Sequence, residues 1–524
     1  MRSYYEHLET AMGTAHAQVP AKPVVRSSAI FPVINTTHIH SRILFMGYWI
    51  LKRNIREILA VINLRDAKGQ LLGRQTFTIT ESKTFRVELQ EQLTLAGISS
   101  DISFTGSLEV EFFSTVNLVF PYPATVINYY GDHFSTVVHT AQRIYNDFED
   151  KQRNTQTQVP ESGFNIYADQ EREPFIGLIN GAQAVEDCPF TLQFINSEGE
   201  SLEHRTSLGR LAPYETRFLY PAQEVDLQSF LKGKVGAAKA FFHVDWIFPR
   251  LVVGNIQRSL PALVITHTYY DTTAATSESD YWRPSQPEWY PASLMVPCAV
   301  ALSHFTNIYF YPIYSPAQFT VDVEFYLPDG TLLAKHDDVL LVESPSSVLK
   351  KIELKSLVQK DIPNDLGARI IARTVGESRL PARIKLGFDV GNSSEGMPCN
   401  ICTNLQPFNP DLESKPRAFR WGPVLADQPQ ATLWIMNSAP HKSYTRQAEV
   451  NISFHREQDA TTLTRQFTLP PHGFRVIKLT EDEELRDFFQ GQVGWYTATI
   501  GNPYATTFYF AENLSGIVGG DHGF

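Results

Sequence analysis

The sequence predicts an all-β protein made of four tandem β-sandwich domains, Ig-like or jelly-roll-like, of about 120 to 130 residues each. Three observations predict this class: the composition, short segments in which apolar and polar residues alternate, and a long repeat. Aromatic residues make up 12% of the 524 residues, and 32 Pro accompany them. Such a composition favours strands and turns over long helices. A chain of this length is too long to fold around a single hydrophobic core, so several domains are expected.

The clearest element of the repeat is an alternating strand that ends in a glycine turn. Segments 58–69, 190–199 and 319–330 carry it, and a Leu-bearing return segment follows each one. Glycine supplies the positive φ that a tight turn requires, so these segments predict β-hairpins. A fourth copy, 448–455, keeps the alternation without the glycine.

Three further elements follow each hairpin. A Leu-rich stretch predicts a short helical turn at 89–95, 227–231, 354–357 and 479–489. A glycine opens another strand at Gly106, Gly236, Gly367 and Gly494. A proline follows that strand in each copy, at Pro121, Pro249, Pro381 and Pro503. Successive prolines of this set are 122 to 132 residues apart. The turn glycine precedes this proline by 50 to 52 residues in three copies, and two such constant spacings indicate duplication of one domain.

Polar stretches at 148–162, 272–286 and 406–415 interrupt the alternation and predict the domain boundaries. The predicted organisation is an N-terminal arm followed by four sandwich repeats, at 1–22, 23–147, 160–272, 287–405 and 416–524. The repeat is too long for a solenoid unit, and its number of strand-like segments suits a sandwich.

Charge and hydropathy exclude several classes of partner. The net charge is −11 and the 45 Lys and Arg are scattered, so no nucleic acid is predicted. No apolar segment approaches the roughly 20 residues that span a bilayer, so no membrane span is predicted. The N-terminus lacks a basic region and an apolar run, which favours cytoplasmic synthesis without a Sec signal. Export by another route, or incorporation into a particle, is the alternative, and four Cys fit a reducing compartment.

A potential metal ligand recurs near the end of each copy. Counting eighteen residues onward from the repeat prolines reaches His139, His267, Cys399 and Asp521, with Cys402 and His522 close by. Neutral imidazole, thiolate and carboxylate are ligands for borderline cations such as zinc. The equal spacing predicts that these positions mark the same end of each domain.

A structural explanation competes with the metal site. A polar residue at a strand end can instead hydrogen-bond neighbouring backbone groups. Sandwiches strung in a line would hold the four positions tens of ångströms apart, whereas a metal needs its ligands at about 2.0 to 2.3 Å. We therefore expect the positions to be alike but far apart, with no shared metal site.

The pair Cys399 and Cys402 has the spacing of half a zinc knuckle or of a redox dithiol. No second CxxC exists in the sequence, and no thioredoxin-like βαβ pattern surrounds this one. Two ordinary thiols are the preferred interpretation, and a metal or redox role is the alternative.

Aromatic residues near the second boundary form a candidate surface for a ligand or partner. They are Tyr269, Tyr270, Tyr281, Trp282, Trp289 and Tyr290. Large flat rings among Pro and Ser are exposed unless they pack on an adjoining domain or a ligand. They could stack on sugars or anchor a protein partner.

No Gly-x-Ser-x-Gly elbow, P-loop or recognisable Cys and His pair occurs in the sequence. We therefore predict a non-enzymatic structural or interaction protein that presents strand-end loops to a protein or glycan partner. An assembly scaffold, as a homo-oligomer or larger assembly, is the expected form. The alternative is a metal-binding or metal-dependent protein that uses the strand-end His and Cys residues. No cofactor is predicted apart from the zinc-like metal of that alternative.

Overall fold

The computed structural model describes most of the chain between residue 23 and the last residue. The described residues are 23–139, 142–145, 157–244, 246–248, 250–270, 282–284, 291–300, 303–311, 318–343, 348–358, 365–375, 379–381, 384–392, 396–405, 410–440 and 445–524. The predicted arm at 1–22 lies outside these ranges. Strands make up most of the described elements, which confirms the all-β class. No helix among the described residues has the length and apolar character required to cross a membrane.

The described residues of the first two sandwiches form nineteen strands. Those of the first are β1 Arg26–Asn35, β2 His40–Met46, β3 Ile58–Asp66, β4 Leu71–Ile79, β5 Thr84–Glu88, β6 Phe104–Phe113, β7 Thr125–Gly131, β8 Phe134–His139 and β9 Arg143–Ile144. Those of the second are β10 Thr157–Ile166, β11 Arg172–Ile179, β12 Pro189–Ile195, β13 Ser201–Ser207, β14 Thr216–Leu219, β15 Gly236–Val244, β16 Ile247–Phe248, β17 Val252–Gln257, β18 Ala262–His267 and β19 Tyr269–Tyr270. β10 begins inside the stretch 148–162 that was predicted as a boundary.

Eighteen strands are formed by the part of the last two sandwiches that the structure describes. Those of the third are β20 Trp282–Pro284, β21 Ala292–Ala299, β22 Phe305–Phe310, β23 Phe319–Tyr326, β24 Leu332–Val342, β25 Lys350–Glu353, β26 Asp365–Thr374, β27 Arg379–Pro381, β28 Ile384–Gly391 and β29 Cys399–Leu405. Those of the fourth are β30 Ala418–Val424, β31 Gln430–Met436, β32 Ala448–His455, β33 Thr462–Leu469, β34 Phe474–Lys478, β35 Gly494–Ile500, β36 Thr506–Glu512 and β37 Val518–His522.

Helices are short and lie between strands. They are α1 Tyr48–Arg53, α2 Leu89–Leu95, α3 Leu227–Leu231, α4 Leu354–Leu357, α5 Pro410–Glu413 and α6 Glu483–Phe489, with a 3₁₀ turn at Pro221–Gln223. The Leu-rich stretches therefore form the short helical turns that the sequence predicts. Buried leucines such as Leu89, Leu227 and Leu354 fix these turns on the core.

All four sandwiches have the same sheet order. The first sheets run β1-β6-β3-β4, β10-β15-β12-β13, β21-β26-β23-β24 and β30-β35-β32-β33, and β19 adds to the free edge of β10. The second sheets run β5-β2-β7-β8, β14-β11-β17-β18, β25-β22-β28-β29 and β34-β31-β36-β37. Identical order in four copies confirms that one domain is repeated.

The predicted hairpins and their turns are present. β3 pairs with β4, β12 with β13, β23 with β24 and β32 with β33, all antiparallel. Gly69, Gly199 and Gly330 have φ of 82°, 84° and 80°. Glycine adopts this left-handed conformation without steric cost, which explains the Gly at the end of these three alternating runs.

The chain divides into two compact units. Apart from two hairpin tips, at 195–200 and 457–460, unit 1 holds the first two sandwiches and unit 2 holds the last two. Apolar packing continues from one sandwich to the next within each unit. Ile30 and Ile144 of the first sandwich belong to the core of the second, and Met436 and Phe474 of the fourth belong to the core of the third.

Each unit contains the same joint between its two sandwiches. In unit 1 the Gly69 turn lies on the Pro213 turn, so that a Cβ atom built on Gly69 would be 2.0 Å from the Pro213 carbonyl oxygen. Thr216 N–H donates to the Ala67 carbonyl oxygen at 3.0 Å. The atoms nearest to Gly69 across this joint belong to the backbone of the Pro213 turn. They leave no space for a side chain at the turn glycine.

Unit 2 repeats this joint with equivalent residues. A Cβ atom on Gly330 would be 2.3 Å from the Pro471 carbonyl oxygen, and Phe474 N–H donates to the Pro328 carbonyl oxygen at 3.1 Å. The residue after the turn proline has positive φ in both units, 59° at Tyr214 and 58° at His472. The duplicated chain thus repeats a joint between domains as well as the domain itself.

His472 makes this joint sensitive to pH. Its ring stacks on Tyr326 with centroids 4.8 Å apart. Burial and the nearby charge of Arg369 lower the pKa of His472 to about 4, against an opposing effect of Glu324. An unfolded histidine has a pKa of about 6.5. Because the folded pKa is the lower one, unit 2 loses stability as pH falls from about 6.5 to about 4, and loses no more from this residue below that.

We expect His472 to account for about 2 kcal/mol of lost unfolding free energy at pH 5 relative to pH 7. Urea denaturation at both pH values measures the loss. The matched variant is His472→Asn, because asparagine tolerates positive φ and does not titrate. An equal pH dependence in the two proteins would contradict the prediction.

Candidate functional site

The last strands of the first two sandwiches, β8 and β18, are buried along their whole length. All six residues of each strand are buried, although both strands lie at the edge of their sheet. A strand covered on both faces is continuously apolar instead of alternating, as in 262–265 of β18. The two edges lie against each other within unit 1, where Ile265 N–H donates to Thr136 Oγ1 at 3.1 Å.

In the second sheet of every sandwich, four residues on neighbouring strands pair with one another in a row. The row ends on the last strand at a His or Cys that the sequence suggested as a metal ligand. The rows are Arg86, Leu44, Val126 and His139; Phe218, Gly177, Val252 and His267; Lys351, Tyr309, Gly387 and Cys402; and Val476, Trp434, Phe508 and His522. Phe218 lies five residues after Pro213 and Val476 lies five residues after Pro471. Arg86, Lys351 and Val476 each lie three residues before the Leu-rich stretch. The four rows are therefore equivalent.

The prediction for the third copy is wrong by three residues. Cys402, and not Cys399, is equivalent to His139, His267 and His522. Cys399 pairs with Val390, at the opposite end of its strand. The cause is three additional residues relative to the first sandwich. Gly387 lies six residues after Pro381, where Val126 lies five after Pro121. Cys402 lies fifteen residues after Gly387, where His139 lies thirteen after Val126. Counting from a proline does not detect an insertion that follows it.

The expectation that equivalent positions lie far apart is also wrong within unit 1. The rings of His139 and His267 have centroids 4.6 Å apart and an interplanar angle of 84°. Each residue is 1% exposed. The expectation assumed sandwiches strung in a line, whereas the two sandwiches of unit 1 pack side by side along their final strands.

A hydrogen bond sets the tautomer of His267. Its Nδ1 lies 3.1 Å from the carbonyl oxygen of Thr268. A carbonyl oxygen only accepts, so Nδ1 carries the proton and the neutral ring has its lone pair on Nε2. His522 in unit 2 repeats this contact, with Nδ1 3.0 Å from the Gly523 carbonyl oxygen. In metal sites such a bond to backbone fixes the orientation of a histidine ligand.

Cys399 and Cys402 do not form a knuckle. They lie three residues apart on β29, whose register is continuous, and residues an odd number apart face opposite sides of a strand. Cys399 Sγ is 3.3 Å from the Gly520 carbonyl oxygen. Burial, followed by the charges of Asp521 and Asp389, raises the pKa of Cys399, so its thiol stays protonated at neutral pH.

All four cysteines, Cys188, Cys298, Cys399 and Cys402, are buried, and none forms a disulfide. Burial likewise raises the pKa of Cys298. Buried protonated thiols act as small apolar side chains and react poorly.

The aromatic candidates fall mainly at the margins of the described chain. Tyr281, Trp289 and Tyr290 lie outside the described residues. The backbone of Tyr269–Tyr270 forms β19, which pairs with β10, and Trp282 begins β20, which pairs with β27. A binding role for these six residues stays a prediction.

Sequence reasoning missed a cavity of about 190 Å³ between the two sandwiches of unit 2. Trp434, Val476 and Phe510 provide apolar lining. The polar lining includes His304, Gln430, Lys478, Glu481 and Glu512. These residues come from five separate strands and loops, so no local sequence pattern could have identified the cavity.

Hydrogen bonds hold the polar side of this cavity. His304 Nε2 lies 2.9 Å from Glu512 Oε2, and the Asn392 amide donates to the other oxygen of Glu512. Lys478 Nζ pairs with Glu481 at 3.0 Å. The arrangement offers carboxylate acceptors and cationic donors above an apolar floor, where Trp434 stacks on Phe474 with centroids 5.5 Å apart.

No protein-family model and no curated protein matches the chain. Among solved structures, a calcium-binding mutant of Bacteroides uniformis beta-glucuronidase 2 is 10% identical, with a TM-score of 0.10 and 47% of this chain covered. The chain spans 26% of that enzyme. The full-length RrgB pilus protein from Streptococcus pneumoniae is 7% identical, with a TM-score of 0.11 and coverage of 89% of this chain and 86% of that one. Likenesses this weak carry no argument about function.

Proposed function

We propose that the chain is a non-enzymatic structural or interaction protein whose sandwich pairs serve as rigid building blocks of an assembly. The observation that carries the proposal is the joint made twice by equivalent residues, Gly69 on Pro213 and Gly330 on Pro471. Domains joined by small polar surfaces usually move relative to one another. A joint with close backbone contact and a shared apolar core holds its two domains in one arrangement.

The outer edge strands support an interaction role. β4, β13, β24 and β33 each occupy the edge of a sheet, and such an edge offers backbone groups to an added strand. β24 also exposes Leu332, Leu333 and Leu341, at 49%, 38% and 43%. These leucines make β24 the most apolar candidate for an interface.

We propose that the β24 edge pairs with the β24 edge of a second copy of the chain. Antiparallel pairing of one edge with its own copy closes a twofold interface. Lys335 precedes Asp337 on this strand, so antiparallel self-pairing about a twofold axis at His336 would place opposite charges across from each other. Such cross-strand pairs stabilise a sheet, whereas like charges oppose pairing.

Sedimentation velocity over a concentration series tests this interface. We expect the full chain to self-associate and the variant Leu333→Lys/Leu341→Lys to remain monomeric. The control is Leu514→Lys, at a residue that is 87% exposed outside the strands. A wild-type chain that stays monomeric throughout, or a β24 variant that associates as the wild type does, would refute the role proposed for β24.

The cavity of unit 2 supports a second candidate function, binding of a sugar ring. A cavity of about 150 Å³ can hold a six-membered ring, and the present one is larger. A sugar has an apolar face that suits Trp434 and Phe510, and hydroxyl groups that suit Glu512 and Lys478. This assigns a site to the glycan partner that the sequence predicts.

Isothermal titration with a panel of neutral monosaccharides tests the cavity. We expect one sugar to bind, and Glu512→Gln to weaken it at least tenfold, because the charged acceptor for a hydroxyl is lost. Glu353→Gln is the control, since Glu353 is exposed and outside the lining. Binding that survives the Glu512 change, or the absence of binding to any sugar of the panel, counts against this site.

A further inference from the structure

The geometry points to a binding site for a divalent cation of the zinc class at His139 and His267 in unit 1. The first argument is the equivalence of the position. Only 15 His and four Cys occur among 524 residues, yet the same row of each sandwich ends in His, His, Cys and His. Packing alone would favour an apolar residue at a buried strand end.

The second argument is the distance between the two imidazoles. Ring centroids 4.6 Å apart allow one nitrogen of each ring to approach a common ion at about 2.0 to 2.1 Å. The rings are nearly perpendicular, at 84°. Perpendicular rings can direct their nitrogen lone pairs to one point, which parallel stacked rings cannot do.

The third argument is the tautomer of His267. Neutral imidazole is the form that binds a metal. The Nδ1 proton of His267 is committed to the Thr268 carbonyl oxygen, so Nε2 carries the lone pair that a metal requires.

The chemical class of the ion follows from the ligands. Imidazole suits Zn²⁺, Cu²⁺ and Ni²⁺, whereas Ca²⁺ and Mg²⁺ prefer oxygen ligands. Two imidazoles from different sandwiches would tie the final strands of unit 1 together. Because His139 and His267 are 128 positions apart in the sequence, an ion held by both would favour the paired arrangement over separated sandwiches.

Titration of the metal-free full chain with ZnCl₂ tests the site. Imidazole NMR resonances of His139 and His267 are expected to shift together and saturate at the same zinc concentration. Isothermal titration is expected to show at least tenfold weaker binding for both His139→Asn and His267→Asn. Co²⁺ should give the visible absorption of a bound ion in the wild type, with intensity lost in both variants.

The control variant is His204→Asn, because His204 lies on the exposed strand β13 of the same unit and pairs with Glu224. It should bind zinc as the wild type does. Unchanged resonances of both histidines at saturating zinc would overturn the site, as would wild-type affinity in either Asn variant. The NMR titration uses the wild-type chain, so it tests the proposal even if a variant fails to fold.

Discussion

Replacing Arg369 with Met should lower the unfolding free energy of unit 2 by about 3 to 5 kcal/mol. The Arg369 guanidinium is fully buried and pairs with Glu324, itself 1% exposed, at 3.0 Å. It also donates to the Pro440 carbonyl oxygen at 2.8 Å and to Ser293 Oγ at 3.2 Å. Removal of the guanidinium would leave a carboxylate buried with no compensating charge, which is the costly outcome.

Hydrogen exchange of unit 2 peptides in a denaturant series measures this loss. The control is Lys351→Met in the third sandwich, because Lys351 and its partner Glu353 are both exposed, at 38% and 58%. An exposed pair contributes below about 1 kcal/mol. The double variant Arg369→Met/Glu324→Leu should recover much of the loss, since it removes both charges. Equal losses at Arg369 and Lys351 would refute the argument from burial.

Gly69→Ala should cost unit 1 about 3 to 5 kcal/mol, the second largest effect that we expect. About 1 to 2 kcal/mol comes from the left-handed backbone of an alanine at φ 82°. The rest comes from the new Cβ atom, which would lie 2.0 Å from the Pro213 carbonyl oxygen and force the two turns apart. The Thr216 to Ala67 hydrogen bond should therefore weaken as well.

Gly97→Ala separates the two contributions. Gly97 has φ of 75°, and a Cβ atom there meets nothing within 4 Å, so only the backbone cost of about 1 to 2 kcal/mol applies. Urea denaturation of both variants, with hydrogen exchange at Thr216, gives the difference. If Gly69→Ala costs no more than Gly97→Ala, the close joint between the sandwiches does not exist in solution.

The repeat was predictable because its signals are local. An alternating run followed by glycine specifies a hairpin whatever surrounds it, and a leucine-rich stretch such as Leu227–Leu231 predicts the helical turn. The candidate site was predictable in part. Spacing from the prolines led to His139, His267 and His522, whereas it led to Cys399 in place of Cys402, because inserted residues change a count without changing strand register.

The sequence by itself determined the strands, the turns and the fourfold repetition, since each follows from backbone preferences and side-chain alternation over about ten residues. Only the tertiary structure decided which edges meet. His139 and His267 come together, and Gly69 reaches Pro213, through packing between sandwiches more than 100 residues apart in the chain. Such contacts depend on the shape and burial of whole domains, and no local pattern of residues encodes them.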